Sequence, residues 1–166
     1  MRTDYLQVDA WTVLQRLLTA PNALVVEVML STGLRVSDVL SLRTEQLKNR
    51  FTVKESKTHK SRRIYLNNDL LQRLRNQSGE VFVFEHAKTI YKHRTRQAVW
   101  HDVKRAAKAM RVDCVVGTHS ARKSYAVDIF RRTKDLVRVQ SALGHDQLAT
   151  TIIYLLSEFD NKKNAP

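Results

Sequence analysis

The stretch THSARKSYAVDIFRRTKDLVRVQSALGHDQLATTIIY, Thr118 to Tyr154, decides how the rest of the chain is read. Thr118 or Ser120 caps a helix that becomes apolar one turn later, at Ala126, Ile129 and Phe130. A second helix over 134–143 is stopped by Gly144, and a third is predicted over 148–156. This frame carries His119 and Arg122, three apart, then Leu143-Gly144-His145, then Tyr154 in an amphipathic segment. Arg, His and Tyr together are not a metal-binding set. Arginine keeps its proton and presents a planar fork of donors matched to phosphate oxygens. Two imidazoles and a guanidinium around a phenol suit a site that binds a phosphodiester and attacks it, with Tyr154 as nucleophile.

Working outward toward the N-terminus, Arg96 to Met110 is predicted as a long helix with Ala98, Val99, Val103, Ala106, Ala107 and Met110 inward. Ahead of it, EHAKTIYKHRTR reads as a basic surface loop and VFVF, 81–84, as a short buried strand or extended segment. From Phe51 to Leu66 the period is two: FTVKESK and RRIYL, separated by THKS, form a hairpin with a basic tip. Asn67 or Asn68 caps a helix through Arg75, ended by Ser78-Gly79. At the start of the chain, Asp9 caps a helix bearing Trp11, Leu14, Leu17 and Leu18 that stops before Pro21. Ala23 to Leu30 is a buried central helix closed by Gly33 in the left-handed conformation, and Ser37 caps a short helix through Leu42. Arg35 then lies in the tight connection between those two helices. The pattern is α+β, mainly α-helical, with a small antiparallel β-hairpin.

Within 166 residues there is room for one domain with a real core. Its 29 Lys and Arg against 16 Asp and Glu leave a net charge of +13, and the pI is near 10.2. Such a surplus attracts polyanions, nucleic acid first among them, and is silent about fold. Cys114 is the only cysteine, which excludes an intramolecular disulfide and a cysteine-based zinc cluster; Val112, Val115 and Val116 around it predict a buried thiol. No apolar run approaches the roughly 20 residues of a membrane helix. The N-terminal MRTDYLQVDAW lacks a signal-peptide core, so a cytoplasmic protein with no membrane partner is expected.

An HxxR spacing alone is unspecific, but five signals here occur in one order: Gly33-Leu34-Arg35, Ser56-Lys57-Thr58, His119 with Arg122, Leu143-Gly144-His145, and Tyr154. STGLRVSDVLSL, KESKTHKSRRIYL, THSARKSY and LGHDQLATTIIY resemble the boxes of the tyrosine recombinases, the phage integrase family, and the resemblance runs from Trp11 through Leu156. By residue chemistry alone Lys54 and Lys60 rival Lys57, and Tyr65, Tyr91 and Tyr125 rival Tyr154. The resemblance selects Lys57 and Tyr154. It implies a tyrosine-recombinase catalytic domain over 1–166 in which Tyr154 attacks a DNA phosphodiester and forms a 3′-phosphotyrosyl bond. Arg35 and Arg122 would clamp the non-bridging oxygens, Lys57 protonate the departing 5′ oxygen, His119 serve as proton partner to Tyr154, and His145 bond the phosphate. Asp38 would support Arg35 from behind. Neither a metal, another cofactor nor ATP is called for.

Lys60, Arg62, Lys88, Lys92, Arg94, Arg96 and Lys123 are the candidate DNA contacts, the last standing where the family often has another histidine. The helical domain that the family carries ahead of the catalytic one is not expected in a chain of this length. Residues 157–166 are expected to be a flexible or docking tail. Expected partners are double-stranded DNA and, for a full-length protein, three further copies in a homotetramer, in a bacterial cell or phage-infected host at the nucleoid. The activity implied is integration or excision of a mobile element; a type IB topoisomerase and a non-cleaving DNA-binding regulator on the same fold are the alternatives.

Overall fold

A computed structural model describes residue 4, residues 6–144 and residues 149, 151, 152 and 155. His145, Tyr154 and the tail over 157–166 lie outside the described residues. Among those described the chain forms, in order, α1 (Val8–Arg16), α2 (Ala20–Thr32), α3 (Val36–Leu40), β1 (Arg50–Lys54), β2 (Ser61–Tyr65), α4 (Asn68–Gln77), β3 (Glu85–His86), β4 (Thr89–His93), α5 (Arg96–Ala109), α6 (Thr118–Thr133) and α7 (Leu136–Leu143). The expected class, mainly helical with small antiparallel sheets, is the one observed.

Helix α2 is the axis of the domain. It is apolar on nearly every side, and Val25, Val26, Val28 and Met29 are all buried, as a helix surrounded by others must be. Pro21 stands at its start, where a missing N–H costs nothing, rather than marking the end of α1. Gly33 closes it at φ 66°, donating its N–H to the Met29 carbonyl at 2.9 Å. Against α2 packs α6, while α1, α3, α4 and α5 surround the rest of it. Trp11, Leu14, Leu40, Leu70, Leu74, Phe84, Val99 and Val103 fill the main core. A smaller cluster joins α6 to α7 through Ala126, Val127, Ile129, Val139 and Leu143, and Leu155 is buried in it.

Side-chain caps start three of the described helices. The Asn67 side chain accepts from Leu70 N–H at 2.8 Å, Thr95 caps α5 through Ala98, and Asp135 caps α7 through Arg138. Lys134 is not the start of α7 but the left-handed end of α6, at φ 54°. Asp9 sits in the first turn of α1 rather than capping it, and α3 begins at Val36 after Arg35, not after Ser37.

Two expectations about strands are corrected. The segment read as a basic loop is the β3–β4 hairpin, pairing Glu85 with His93 and His86 with Thr89. VFVF contributes only a bridge from Phe82 to Arg43, with Val83 and Phe84 buried in a turn. The first hairpin is as expected, but its register from Arg50↔Tyr65 to Lys54↔Ser61 leaves 55–60 as the turn. Ser56 and Lys57 therefore lie in that turn, and strand alternation does not govern them. Cys114 is half-buried, and burial raises its thiol above the ordinary range.

Candidate active site

The site forms where α2 ends, the first hairpin turns, α6 begins and α7 ends. At the end of α2 the Thr32 hydroxyl donates to Val28 O at 2.6 Å and accepts from Leu34 N–H at 3.2 Å. That turn delivers Arg35 in an extended conformation, with a partly exposed side chain, to the mouth of the domain.

Two guanidiniums are held by helix-end carbonyls. Arg122, on α6 and 1% exposed, donates through Nη1 to Gly33 O at 2.6 Å and through Nη2 to Leu143 O at 2.5 Å. Arg62, on β2, donates through Nη2 to Thr32 O at 2.7 Å. Carbonyls at a helix C-terminus carry partial negative charge, so they suit the cations gathered here.

A carboxylate completes the arrangement. Glu55, fully buried, accepts from Arg35 Nη1 at 2.5 Å, Arg62 Nη1 at 2.8 Å and the Thr58 hydroxyl at 2.9 Å. Its Oε1 lies 4.0 Å from Arg122 Nη1. Burial works to raise its pKa, but hydrogen bonds from Arg62, Arg35 and Thr58 outweigh that and hold it below the usual carboxylate range. Arg35 and Arg122, 87 residues apart in sequence, thus converge on a single anion. Asp38 Oδ2 is 4.0 Å from Arg35 Nη1, and its Oδ1 accepts from the Ser56 N–H at 2.9 Å and hydroxyl at 2.7 Å. Its principal hold is therefore on the Lys57 turn.

His119 is exposed on the first turn of α6. Its pKa is lowered, first by desolvation and then by Arg122, Arg35, Arg96 and Lys123, which favours the neutral imidazole, the form able to accept a proton. Lys57 is exposed in the hairpin turn, beside the pinned Ser56; Lys54 closes β1 and Lys60 precedes β2. Of the rival phenols, Tyr65 is exposed at the far end of the hairpin and Tyr91 on β4. The Tyr125 ring packs beneath Gly33, and burial raises its phenol pKa, which weakens it as a nucleophile. Leu155, next in sequence to Tyr154, is anchored in the α6–α7 cluster.

Lys60, Lys88, Lys92 and Arg96 are exposed, as DNA contacts require. Three other expected contacts are turned inward. Arg62 is committed to Glu55 and Thr32, Arg94 donates through Nε to Asn22 Oδ1 at 2.6 Å, and Lys123 is 6% exposed. Among the described residues no group of three or more His, Cys, Asp or Glu side chains is gathered to hold a metal ion. Nor is any described helix long and apolar enough to cross a membrane.

The sequence profile of the Phage integrase family matches residues 10–160. The chain belongs to the phage integrase family. This integrase-family chain is 28% identical over 142 residues to the probable integrase/recombinase YoeC of Bacillus subtilis, covering 82% of this chain and 77% of that protein. It is 32% identical over 143 residues to tyrosine recombinase XerD of Lacticaseibacillus casei, covering 77% of this chain and 47% of XerD. Among solved structures, the catalytic domain of bacteriophage HP1 integrase superposes with a TM-score of 0.71 at 20% identity, over 94% of this chain and 89% of that one. The XerH site-specific recombinase bound to its difH substrate superposes with a TM-score of 0.74 at 23% identity, over 91% of this chain and 50% of that one. The integrase-family chain therefore shares the fold of a recombinase catalytic domain, and spans about half the length of XerD and XerH.

Glu55 and the inward turn of Arg62 were not foreseen. The signal was present: in the two-residue period of the hairpin Glu55 shares the inward face of Val53, and Arg62 that of Ile64.

Proposed function

We propose that this chain is the catalytic domain of a site-specific DNA recombinase that cleaves and rejoins duplex DNA through a 3′-phosphotyrosyl intermediate. The observation that carries the reading is the approach of Arg35 and Arg122 to one buried carboxylate, which brings the two guanidiniums together and supports their acting jointly on one anionic phosphorus centre. Permanent cations fixed before the reaction stabilise charge as it develops on the non-bridging oxygens, an effect of about 3 kcal/mol or more per donor in comparable sites.

In the cleavage step the Tyr154 phenolic oxygen forms a bond to phosphorus as the bond to the 5′ oxygen breaks. His119 takes the phenol proton, and Lys57 gives a proton to the departing oxygen. His145 adds a hydrogen bond to the phosphate. In the second step a 5′ hydroxyl from another strand attacks the phosphotyrosyl bond, which conserves the energy of the original linkage. The guanidiniums stand where metal ions stand in other phosphoryl-transfer sites, so neither a metal ion nor ATP enters the scheme. In its full-length setting the domain acts as one of four copies on duplex DNA, integrating or excising a mobile element at the nucleoid of a bacterial cell or phage-infected host.

The test is a pool of nicked duplexes with randomised cores, incubated with the protein and resolved in SDS. A denaturant-stable protein–DNA adduct is expected from the wild type and none from Tyr154→Phe. No wild-type adduct from any duplex, or one that persists in Tyr154→Phe, overturns the proposal. Adduct formation unchanged by EDTA is expected alongside; its loss would point to a metal nuclease.

A further inference from the structure

Glu55 has no part in the scheme above, yet its carboxylate is the point at which every described part of the site meets. It bonds Arg35 from the α2–α3 connection and Arg62 from β2, and stands 4.0 Å from Arg122 on α6. A Cβ placed on Gly144, at the end of α7, would meet both Glu55 oxygens at 3.4 Å. With none of its surface exposed, the carboxylate is not in the seat a DNA phosphate would take; it holds the arginines from beneath.

The same residue closes the turn that carries Lys57. Its N–H donates to Lys60 O at 2.9 Å and its carbonyl accepts from His59 N–H at 2.9 Å, with His59 in the left-handed region at φ 55°. Its side chain accepts from Thr58, while Asp38 accepts from Ser56. Lys57 is thus bracketed: the residue on each side of it is tied to a different buried carboxylate, and both carboxylates also face Arg35.

The geometry points to Glu55 as a positioning residue that fixes the Lys57 turn against Arg35 and Arg122, so that the lysine ammonium meets the departing 5′ oxygen. This rests on the recombinase reading. A lysine on a free turn would spend much of its time away from the scissile bond, and proton delivery demands hydrogen-bond reach of the leaving oxygen. A buried, ionised anchor shared with the phosphate-binding arginines couples the position of the acid to that of the clamp.

The discriminating readout is the leaving group. Two nicked duplexes are compared in single-turnover adduct formation, one with the natural 5′ oxygen at the scissile bond and one with bridging sulfur. Sulfur departs as a thiolate, whose conjugate acid has a pKa of about 8.5, and needs no proton donor. Lys57→Ala sets the scale for loss of the acid. Glu55→Gln is expected to slow the oxygen substrate by roughly tenfold to a hundredfold more than the sulfur substrate, within the range a general acid supplies, any loss of the arginine clamp being common to both. Thr58→Val removes only the tether within the turn, leaves the arginine pairs in place, and is expected to show the same pattern at smaller size. Equal losses on both substrates, or no loss in either variant, overturn the assignment. Wild-type protein that forms adduct with neither substrate overturns the recombinase reading itself, and this role with it.

Discussion

Arg122 donates its Nη1 hydrogen to the carbonyl oxygen of Gly33 at 2.6 Å, joining the N-terminal part of α6 to the C-terminal end of α2. With Nη2 on Leu143 O, one buried side chain ties three helices together at the site. Arg122→Lys offers a single ammonium that cannot span both carbonyls, and a buried acceptor left without its donor costs about 1–3 kcal/mol. The expected result is an unfolding free energy from urea titration lowered by that amount, with adduct formation lost. A variant as stable as the wild type would show that the two carbonyls find other donors.

Gly33 is under two constraints at once. Its φ is 66°, and a Cβ there would fall 2.3 Å from the Tyr125 ring. Gly33→Ala is expected to destabilise the fold by about 2–4 kcal/mol, combining left-handed strain with overpacking. In a thermal melt, Gly33→Ala with Tyr125→Ala should lose less than the sum of the two single changes, because the steric part is relieved. Simple additivity would assign the cost to the backbone alone.

Asp102 ties α5 to the start of α2. It accepts from Asn22 at 2.7 Å, from the Thr19 N–H and hydroxyl at 2.9 Å each, and from Arg105 at 2.6 Å. Burial works to raise its carboxyl, but the bonds from Asn22, Thr19 and Arg105 bring it down to about 2. The folded pKa lies below the unfolded one, so this stability is present above about pH 4 and fades as pH falls toward 2. Asp102→Asn should cost about 2 kcal/mol at neutral pH, with the gap to wild type narrowing in acid. A gap independent of pH between 5 and 2, measured by denaturant titration, would remove the charge from the explanation.

His119 carries the pH signature of the proposed chemistry. Desolvation and the neighbouring Arg122, Arg35, Arg96 and Lys123 all lower its pKa, so it stays neutral at pH values where an ordinary histidine, near 6.5, is half protonated. The acid limb of single-turnover cleavage should fall below pH 6.5 and disappear in His119→Gln. An acid limb at or above 6.5 would assign the proton partner elsewhere. The same shift favours the folded state above the ordinary histidine range and loses that contribution as pH falls through the folded value.

Much of this arrangement was legible in the sequence because its signals are local. Gly33 and Gly144 were identifiable as left-handed helix ends, and both adopt positive φ. The hairpin was legible from its period of two, and His119 and Arg122 from their place at the start of a helix. The β3–β4 hairpin was missed because EHAKTIYKHRTR is basic and its alternation weak, so packing rather than propensity decides its shape. Arg94 and Lys123 looked like surface cations because nothing local reveals what draws them inward, Asn22 in the case of Arg94, whereas Arg62 and Glu55 carried an inward signal in the hairpin's period that their charge obscured.

The carbonyls of Thr32, Gly33 and Leu143 aim at guanidiniums only because α2 and α7 stop where they do. Adding or removing one residue within α2 would swing its final carbonyls about the helix axis by roughly 100°, given 3.6 residues per turn. Helix length here acts as a phase setting for the guanidiniums of the candidate site. Insertions that shift this phase should prove far more harmful than their position, distant in sequence from Tyr154, would lead one to expect.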